Sequence, residues 1–263
     1  MGPMSLRASR RFRGMTQLLE NKNVIIYGAG GHIGGATAKA MAREGARVFL
    51  AGRTRESLEK VAAEITAAGG KAEVAVVDAL DERAVEEHAD AVVAAAGSID
   101  VSFNLVKRGD VQGRPLVEMS AADFTAPVSN GLLSTFLTAT AAARRMANTG
   151  GGVILSLTSG SSKGRAPMMG GTGPADAATE SFMRYLAAEV GPRGVRVACL
   201  WTAGVVLEND PLHAAKDMLV SLSMLRKRPT IQEFADTAAF IASDKGSGIT
   251  ASVINVNSGI SAR

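Results

Sequence analysis

Residues 24–34 read VIIYGAGGHIG, an apolar run that leads directly into a glycine-rich turn. An alanine-rich segment of helical period begins at Gly34. Glycines suit such a strand-to-helix turn because a Cβ would block the approach of backbone N–H groups to a pyrophosphate. The turn therefore predicts a phosphate cradle for a dinucleotide, and a merely tight turn is the alternative. The residues predicted to form the cradle are Gly28, Gly30, His32, Ile33 and Gly34.

The remainder of the chain repeats this alternation of short β-branched runs and longer helical segments. We predict seven strands, at residues 24–27, 47–51, 72–77, 101–104, 153–157, 195–200 and 252–256. Six helices fit between them, at 34–44, 55–68, 81–96, 121–148, 174–190 and 231–243. This order is typical of parallel crossovers. The predicted fold class is therefore α/β, a doubly wound seven-stranded parallel sheet in a Rossmann-type three-layer sandwich.

Length and charge indicate one globular domain with a basic extension. The chain has 263 residues and a hydrophobic content of 46%, enough for one substantial core. Residues 1–14 hold four of the 29 Lys and Arg residues and no acid, so the remainder balances 25 basic against 25 acidic residues. We predict a disordered extension at 1–14, with a targeting segment or a polyanion-binding arm as alternatives, and a single domain at 15–263. The balanced body predicts no nucleic-acid partner.

Other classes of protein are excluded by simple counts. Charges or glycines break every hydrophobic run before the roughly 20 apolar residues that a membrane span requires. We therefore predict no membrane partner and a cytoplasmic location. The single cysteine, Cys199, excludes an internal disulfide and a cysteine-based metal cluster, and its apolar neighbours predict a buried, inert thiol. No metal site is predicted.

The end of the second predicted strand indicates which dinucleotide is bound. The sequence there is Ala51-Gly52-Arg53, about where an acidic residue would bind the adenosine ribose of NAD. Arg53 could instead pair with the 2′-phosphate of NADP, since a planar guanidinium suits that group. The sequence therefore predicts NADP in preference to NAD. A solvated surface arginine is the alternative.

Residues 204–229 interrupt the alternation and carry several apolar side chains. In a doubly wound sheet, an insertion after a late strand lies over the carboxyl edge, where ligands bind. The segment is predicted to be either a substrate lid or a pair of subunit-packing helices.

Further polar residues follow other strands, and the chain has a distinctive ending. Asp78 follows the third predicted strand, Asn104 closes the fourth, and Asn130 lies early in the long helix at 121–148. Residues 240–244 read FIASD and residues 256–259 read VNSG. With the glycine turn, these features resemble the short-chain dehydrogenase/reductase family over residues 17–259, close in layout to its 3-oxoacyl reductase-like enzymes.

The resemblance implies roles for these residues. It places Asp78 beside the adenine, Asn104 in the cofactor site and Asn130 at the family's structural and catalytic asparagine. It also implies a small-molecule substrate and a homotetramer or homodimer. Two positions depart from the pattern: His32 occupies a glycine position of the loop, and residues 104–107 read NLVK where the family has Asn-Asn-Ala-Gly. His32 is expected either to contact phosphate or to narrow the cofactor site.

The family's active site contains a serine, a tyrosine and, four residues later, a lysine. Residues 185–191, YLAAEVG, resemble the family's segment without a gap. Counting back from them places Thr172 at the tyrosine, Asp176 at the lysine and Ser159 at the serine. Thr172 does not ionise near neutrality and cannot act as the usual proton donor. Asp176 could accept hydrogen bonds from the nicotinamide ribose and act as a weak base, or be an ordinary exposed aspartate near a helix N-terminus.

Three functional hypotheses follow. The first is an NADP-linked oxidoreductase with a displaced proton source, such as water held by Ser159, Thr172 and Asp176, that reduces an activated C=C or C=O bond. The second is a catalytically silent NADP(H)-binding sensor or partner subunit. The third, a scaffold that no longer binds nucleotide, rests on His32 and the altered 104–107 segment.

Overall fold

A computed structural model describes residues 17–164, 166–207 and 212–260. Seven strands form one sheet in the order β3-β2-β1-β4-β5-β6-β7, and every neighbouring pair is parallel. Their bounds are β1 Asn23–Tyr27, β2 Arg47–Gly52, β3 Lys71–Val76, β4 Val101–Asn104, β5 Gly152–Ser159, β6 Val195–Thr202 and β7 Ser252–Asn255. The predicted doubly wound parallel sheet is confirmed. The predicted extension at 1–14 lies outside the described residues.

Helices cover both faces of the sheet. They are α1 His32–Arg43, α2 Arg55–Ala67, α3 Glu82–Ala96, α4 Ala121–Met146, α5 Thr172–Val190, α6 Lys216–Leu222 and α7 Ile231–Ala242. One hydrophobic core joins the sheet to α1, α2 and α7, and a second joins it to α3, α4 and α5. The inner strands β1, β2, β4, β5 and β6 are largely buried because both of their faces are covered, whereas the edge strands β3 and β7 are partly exposed. Cys199 lies buried in β6, as predicted.

The element boundaries correct the sequence prediction at the sheet's carboxyl edge. β5 and β6 run two residues further than predicted, because Thr158 pairs with Trp201 and Ser159 pairs with Thr202 across the ladder. Helix α5 begins at Thr172, two residues before the prediction. Pro174 is compatible with this earlier start because the first turn of a helix does not need its N–H. Ser159 is therefore a strand-end residue and Thr172 a helix-start residue.

The described parts of the interrupting segment, residues 204–207 and 212–229, include a short helix, α6, and a 3-10 turn at His213–Ala215. Its two ends are tied together by the buried Arg228, whose Nε donates to Gly204 O at 2.7 Å and whose Nη2 donates to Val205 O at 3.1 Å. The lid and the subunit-packing alternatives both stay predictions. Among the described residues, no helix is both long enough and apolar enough to cross a membrane.

A buried histidine lies under the sheet beside β1. His88 of α3 is 8% exposed and packs edge-on against Tyr27, with 3.3 Å between its Nδ1 and the tyrosine hydroxyl. Burial lowers the pKa of His88 from 6.5 to about 4. Between those two pH values the unfolded chain binds more protons at this residue than the folded chain does. The stability that His88 contributes is therefore complete above pH 6.5 and is lost as the pH falls toward 4.

We predict that His88→Phe makes unfolding less pH-dependent. Lowering the pKa of His88 from 6.5 to about 4 corresponds to a decrease of about 3 kcal/mol in the free energy of unfolding on acidification. Phenylalanine does not titrate, so the variant should not show this decrease. Urea unfolding at pH 7, 5.5 and 4.5 measures the difference. His213→Gln is the control because His213 is exposed. Parallel pH profiles for His88→Phe and wild type would contradict the prediction.

Candidate functional site

A cavity of about 820 Å³ opens at the carboxyl edge of the sheet. It is lined by residues that follow the neighbouring strands β1 and β4, between which the strand order reverses, and this is the topological switch of a doubly wound sheet. Ligands of such folds bind in the crevice at this point. Each predicted cofactor residue lines it, as do two of the four predicted catalytic residues. These are Gly28, Gly30, His32, Ile33, Gly34, Arg53, Asp78 and Asn104, with Asn130 and Ser159.

The glycine turn is a close-packed backbone loop. Gly28 has a φ of +82°, and a Cβ there would lie 2.5 Å from Leu105 O. A Cβ on Gly34 would lie 2.2 Å from Gly28 O. Neither position accepts a side chain, so the loop brings bare backbone to the cavity wall. No side chain caps the N-terminus of α1, whose N–H groups open beside the same cavity. The predicted strand–turn–helix is therefore present, and its role as a phosphate cradle stays a prediction.

His32 is the first residue of α1, and its side chain is exposed at the cavity. It therefore lies at the positive end of the helix dipole.

The far end of the cavity carries charged groups suited to an adenosine moiety. Arg53 follows β2, and it is exposed. Asp78 follows β3, and its Oδ1 accepts the Leu80 N–H at 3.0 Å, which fixes the turn after that strand. Both residues line the same cavity as the glycine turn, and their contacts with a cofactor stay predictions.

Asn104 holds the middle of the cavity wall. It is buried, its Nδ2 donates to Thr135 Oγ1 at 3.0 Å, and its Oδ1 accepts the Val106 N–H at 3.0 Å. These contacts attach the chain after β4 to helix α4. Asn104 therefore sets the path of the next few residues, including Arg108.

A buried ion pair lies behind the part of the cavity wall that Arg108 and Ser159 form. Asp176, in the second turn of α5, is 0% exposed, and its Oδ1 accepts from Arg108 Nη1 at 2.6 Å. Its Oδ2 accepts from Ser159 Oγ at 2.5 Å and from Ser159 N at 3.1 Å. The expectation of an ordinary exposed aspartate is therefore wrong, because α5 turns this side chain into the protein. Three donors on two oxygens are the environment of an ionised carboxylate.

The Arg108 guanidinium is fixed from several directions. Asp110 accepts from its Nε at 3.3 Å and from its Nη2 at 3.0 Å. Asn130 Nδ2 donates to Arg108 O at 3.1 Å, and a Cβ on Gly131 would lie 2.5 Å from Arg108 Cδ. The arginine side chain thus passes over a glycine of α4 to reach Asp176.

Burial and the neighbouring charges shift the pKa values of Asp176 and Arg108 in opposite directions. Burial raises the pKa of Asp176, and Arg108 and Ser159 reduce that rise. Burial alone would lower the pKa of Arg108, but Asp176 and Asp110 together raise it. The guanidinium therefore stays charged.

Neither tyrosine places its hydroxyl beside Ser159, although Tyr27 is among the residues that line the cavity. Among the described residues, neither Thr172 nor Asp176 lines it, and Thr172 Oγ1 accepts from Gln112 Nε2 at 3.1 Å. Tyr27 directs its hydroxyl at His88, and burial raises its pKa. Tyr185 is 72% exposed on α5. No tyrosine hydroxyl of the described chain therefore stands beside Ser159.

Arg108, Asp110 and Gly131 were missed by sequence reasoning. They belong to no motif of the family pattern. One signal was available: an acid on the inward face of α5 requires a buried cation, and the strand end at 104–108 carries two basic residues.

Comparisons with known proteins agree with this architecture. A family model described as enoyl-(acyl carrier protein) reductase matches residues 28–261. D-threitol dehydrogenase of Mycolicibacterium smegmatis is 30% identical over 246 residues, which cover 92% of this chain and 93% of that protein. The chain belongs to the short-chain dehydrogenase/reductase family.

Other members of this family show the same layout. The 3-oxoacyl-acyl-carrier-protein reductase of Chlamydia muridarum is 28% identical over 94% of this chain and 100% of that protein. A solved structure of NAD⁺-bound xylitol dehydrogenase superposes with a TM-score of 0.84 at 26% identity, covering 92% of this chain and 99% of that one. The family match includes the glycine turn and every residue of the Arg108–Asp176 cluster.

Two neighbouring glycines test the cradle of this family member. Gly34→Ala should weaken binding of a nicotinamide dinucleotide by about tenfold or more, and lower stability by about 1–3 kcal/mol, because its Cβ meets backbone. Gly31→Ala should change binding by less than about threefold, since its Cβ would lie 3.4 Å from Gly28 O at a φ of −83°. Calorimetric titration with NADPH and thermal melts measure both. Equal effects of the two substitutions would contradict the prediction.

Proposed function

We propose that this protein is an NADP(H)-dependent oxidoreductase that moves protons without a tyrosine–lysine pair. The observation that carries the proposal is one continuous cavity that is lined by the glycine turn after β1, by Arg53 after β2 and by Ser159 at the end of β5, three strands along the sheet from β2. A nicotinamide dinucleotide laid along it would have its phosphates at the turn. When bound, the cofactor supplies hydride chemistry, while the chain's own residues bind, orient and exchange protons.

The preference for NADP rests on Arg53. The cavity wall at the end of β2 is formed by Gly52, Arg53 and Thr54, none of them acidic. A phosphate on the adenosine ribose would meet a guanidinium there, and charge-assisted pairs of this kind are among the stronger polar contacts. Arg55 does not line the cavity, and its Nη1 lies 3.5 Å from Glu59 Oε1.

Arg53→Ala should weaken NADPH binding by about 10- to 100-fold, the loss expected for one charge-assisted contact. NADH binding should change by less than about twofold, because NADH lacks the phosphate. Fluorescence titration with both cofactors gives the two dissociation constants. Arg55→Ala is the control, with both constants expected to be unchanged. An equal loss of NADPH and NADH affinity in Arg53→Ala would refute the assignment.

The proton chemistry follows from the family register. Thr172 and Asp176 stand where the family's tyrosine and lysine are expected, and a threonine hydroxyl cannot take the role of an activated phenol. Thr172 is also buried and bonded to Gln112. Ser159 is the hydroxyl that reaches the cavity, and Asp176 is its partner. The proposed proton path therefore starts at Ser159.

The proposed substrate is a small molecule held near Ser159 and interconverted across a C=O or an activated C=C bond. The relatives named above handle polyols and acyl carrier protein thioesters, according to their names, so the reaction class is better supported than any one substrate.

A homodimer or homotetramer is also proposed, because Leu133 and Phe136 of α4 and Tyr185 of α5 are exposed.

A second candidate, a catalytically silent NADP(H)-binding sensor or partner subunit, is favoured by one contact. The Ser159 hydrogen is directed at Asp176, so it is not offered to a substrate carbonyl. The family's serine polarises the substrate oxygen, and this one is engaged elsewhere.

Turnover separates the two candidates. The purified protein, shown first to bind NADPH, is incubated with ketones, enones and enoyl thioesters, and with secondary alcohols in the presence of NADP⁺. We expect slow but stoichiometric cofactor conversion with at least one class, because loss of a placed general acid typically costs about 10²- to 10⁴-fold rather than all activity. Binding of NADPH with no conversion across the whole panel would refute the oxidoreductase and favour the sensor.

A further inference from the structure

The hydrogen bonds at Ser159 have a definite direction. Its hydroxyl donates to Asp176 Oδ2 and accepts the Ser161 N–H at 3.2 Å. A hydroxyl has one hydrogen and two lone pairs. The hydrogen and one lone pair are therefore used, and one lone pair is left for the cavity that Ser159 lines. Ser159 presents a hydrogen-bond acceptor to a ligand, not a donor.

This direction is imposed by the carboxylate and its neighbours. Asp176 cannot turn away from Ser159, because Arg108 holds its other oxygen and Asp110 holds the far side of Arg108. Asn130 fixes the backbone of Arg108. Asp176 is also fully buried, so no solvent competes for its oxygens.

Arg108 supplies the opposite kind of group at the same place. Three of its five N–H groups have partners in Asp176 and Asp110. Arg108 lines the cavity, and it binds one oxygen of the carboxylate whose other oxygen binds Ser159. An N–H donor and a hydroxyl acceptor thus lie on either side of one carboxylate. A ligand hydroxyl matches both, because it can accept from Arg108 and donate to Ser159, whereas a carbonyl oxygen can only accept.

We infer that Asp176 is the final proton acceptor for a hydroxyl-bearing substrate, that Ser159 relays the proton, and that Arg108 is the positioning residue for both. The inference rests on the proposed function and deepens it. The substrate O–H proton passes to Ser159 Oγ as the Ser159 proton passes to Asp176 Oδ2. The carbon-bound hydrogen leaves with its electron pair to the oxidised nicotinamide cofactor, so the alcohol is oxidised and the cofactor is reduced. In the reverse direction, Asp176 returns its proton to Ser159 Oγ as Ser159 gives its own proton to the oxygen of the carbonyl that is being reduced.

The buried position of Asp176 suits this role. Burial raises its pKa, which makes it a stronger proton acceptor than an exposed aspartate, and the groups that face it are Arg108 and Ser159. Because Asp176 does not line the cavity, a proton can exchange with a ligand only through a residue that does. Ser159 and Arg108 both line the cavity and contact Asp176. Of the two, the Ser159 hydroxyl relays the proton, because the Arg108 guanidinium stays charged.

The test compares matched alcohols and ketones in a site that cannot react. The protein is saturated with 2′-phospho-ADP-ribose, which lacks the nicotinamide. Ligand-observed NMR then gives the affinity for each member of three alcohol–ketone pairs. The pairs are cyclohexanol and cyclohexanone, 1-phenylethanol and acetophenone, and the 3-hydroxybutyryl and acetoacetyl thioesters of N-acetylcysteamine. Wild type should bind the alcohol about fivefold more tightly than its ketone, the effect of one hydrogen bond.

Two variants should change that ratio in different ways. Asp176→Asn turns its carbonyl to Arg108 and its amide to Ser159, which frees the Ser159 hydrogen for the cavity, so the preference should shift to the ketone. Ser159→Ala should bring the ratio to about one. Ser162→Ala is the matched control, because Ser162 lies on the same turn and donates to Glu180 instead. Thermal melts check folding, and Ser159→Ala keeps the inference testable if Asp176→Asn does not fold.

A ketone preference in wild type, or an unchanged ratio in both variants, would overturn the inference. Binding of 2′-phospho-ADP-ribose without binding of any alcohol would overturn it as well, while leaving the cofactor proposal intact. Failure to bind NADPH or 2′-phospho-ADP-ribose would instead remove the proposed function. Where turnover is measurable, Asp176→Asn, Ser159→Ala and the double variant should lower alcohol oxidation to the same extent, because the two residues act in one relay.

Discussion

The carboxylate of Asp176 is buried completely, and the inner half of the cavity is arranged around that fact. A buried charge without a partner is costly, and breaking a buried pair typically destabilises a protein by about 3–5 kcal/mol. The negative charge of Asp176 is compensated by Arg108, which lies in the chain after β4, and by the hydroxyl and backbone N–H of Ser159 at the end of β5. One acidic side chain on α5 therefore fixes residues on two other elements.

The consequences extend into α4. The Arg108 side chain passes where a Cβ on Gly131 would be, and its backbone carbonyl is held by Asn130. An asparagine and a glycine early in a helix would otherwise weaken it, since both have lower helix propensity than alanine. Here Asn130 and Gly131 instead help to position the Arg108 guanidinium. The same reasoning explains Asp110, which neutralises the side of Arg108 that Asp176 does not reach.

Much of this could be predicted from the sequence, and the rest could not for a definite reason. The alternation of strands and helices, the glycine turn, and the positions of Arg53 and Asp78 at strand ends follow from local patterns, because each depends on a few consecutive residues and on the common edge of a parallel sheet. The pairing of Arg108 with Asp176 joins residues 68 positions apart and belongs to no local pattern. Counting along the chain located Asp176, but it could not tell a buried carboxylate from an exposed one. The extra residues of β5 were missed because Thr158 and Ser159 are polar, and only pairing with β6 keeps them extended.

The two halves of the cavity therefore depend on different physics. The half with the glycine turn is built from backbone: a bare glycine turn and an uncapped helix N-terminus, with an exposed arginine beside them, and none of these contacts Asp176. The inner half is a compensated charge cluster whose hydrogen-bond directions are determined by one carboxylate. Within the described residues no ion pair joins the two halves, so the charge cluster and the glycine turn are held independently of each other. That separation is why the Ser159 hydrogen can point inward, toward Asp176, without any change in the glycine turn.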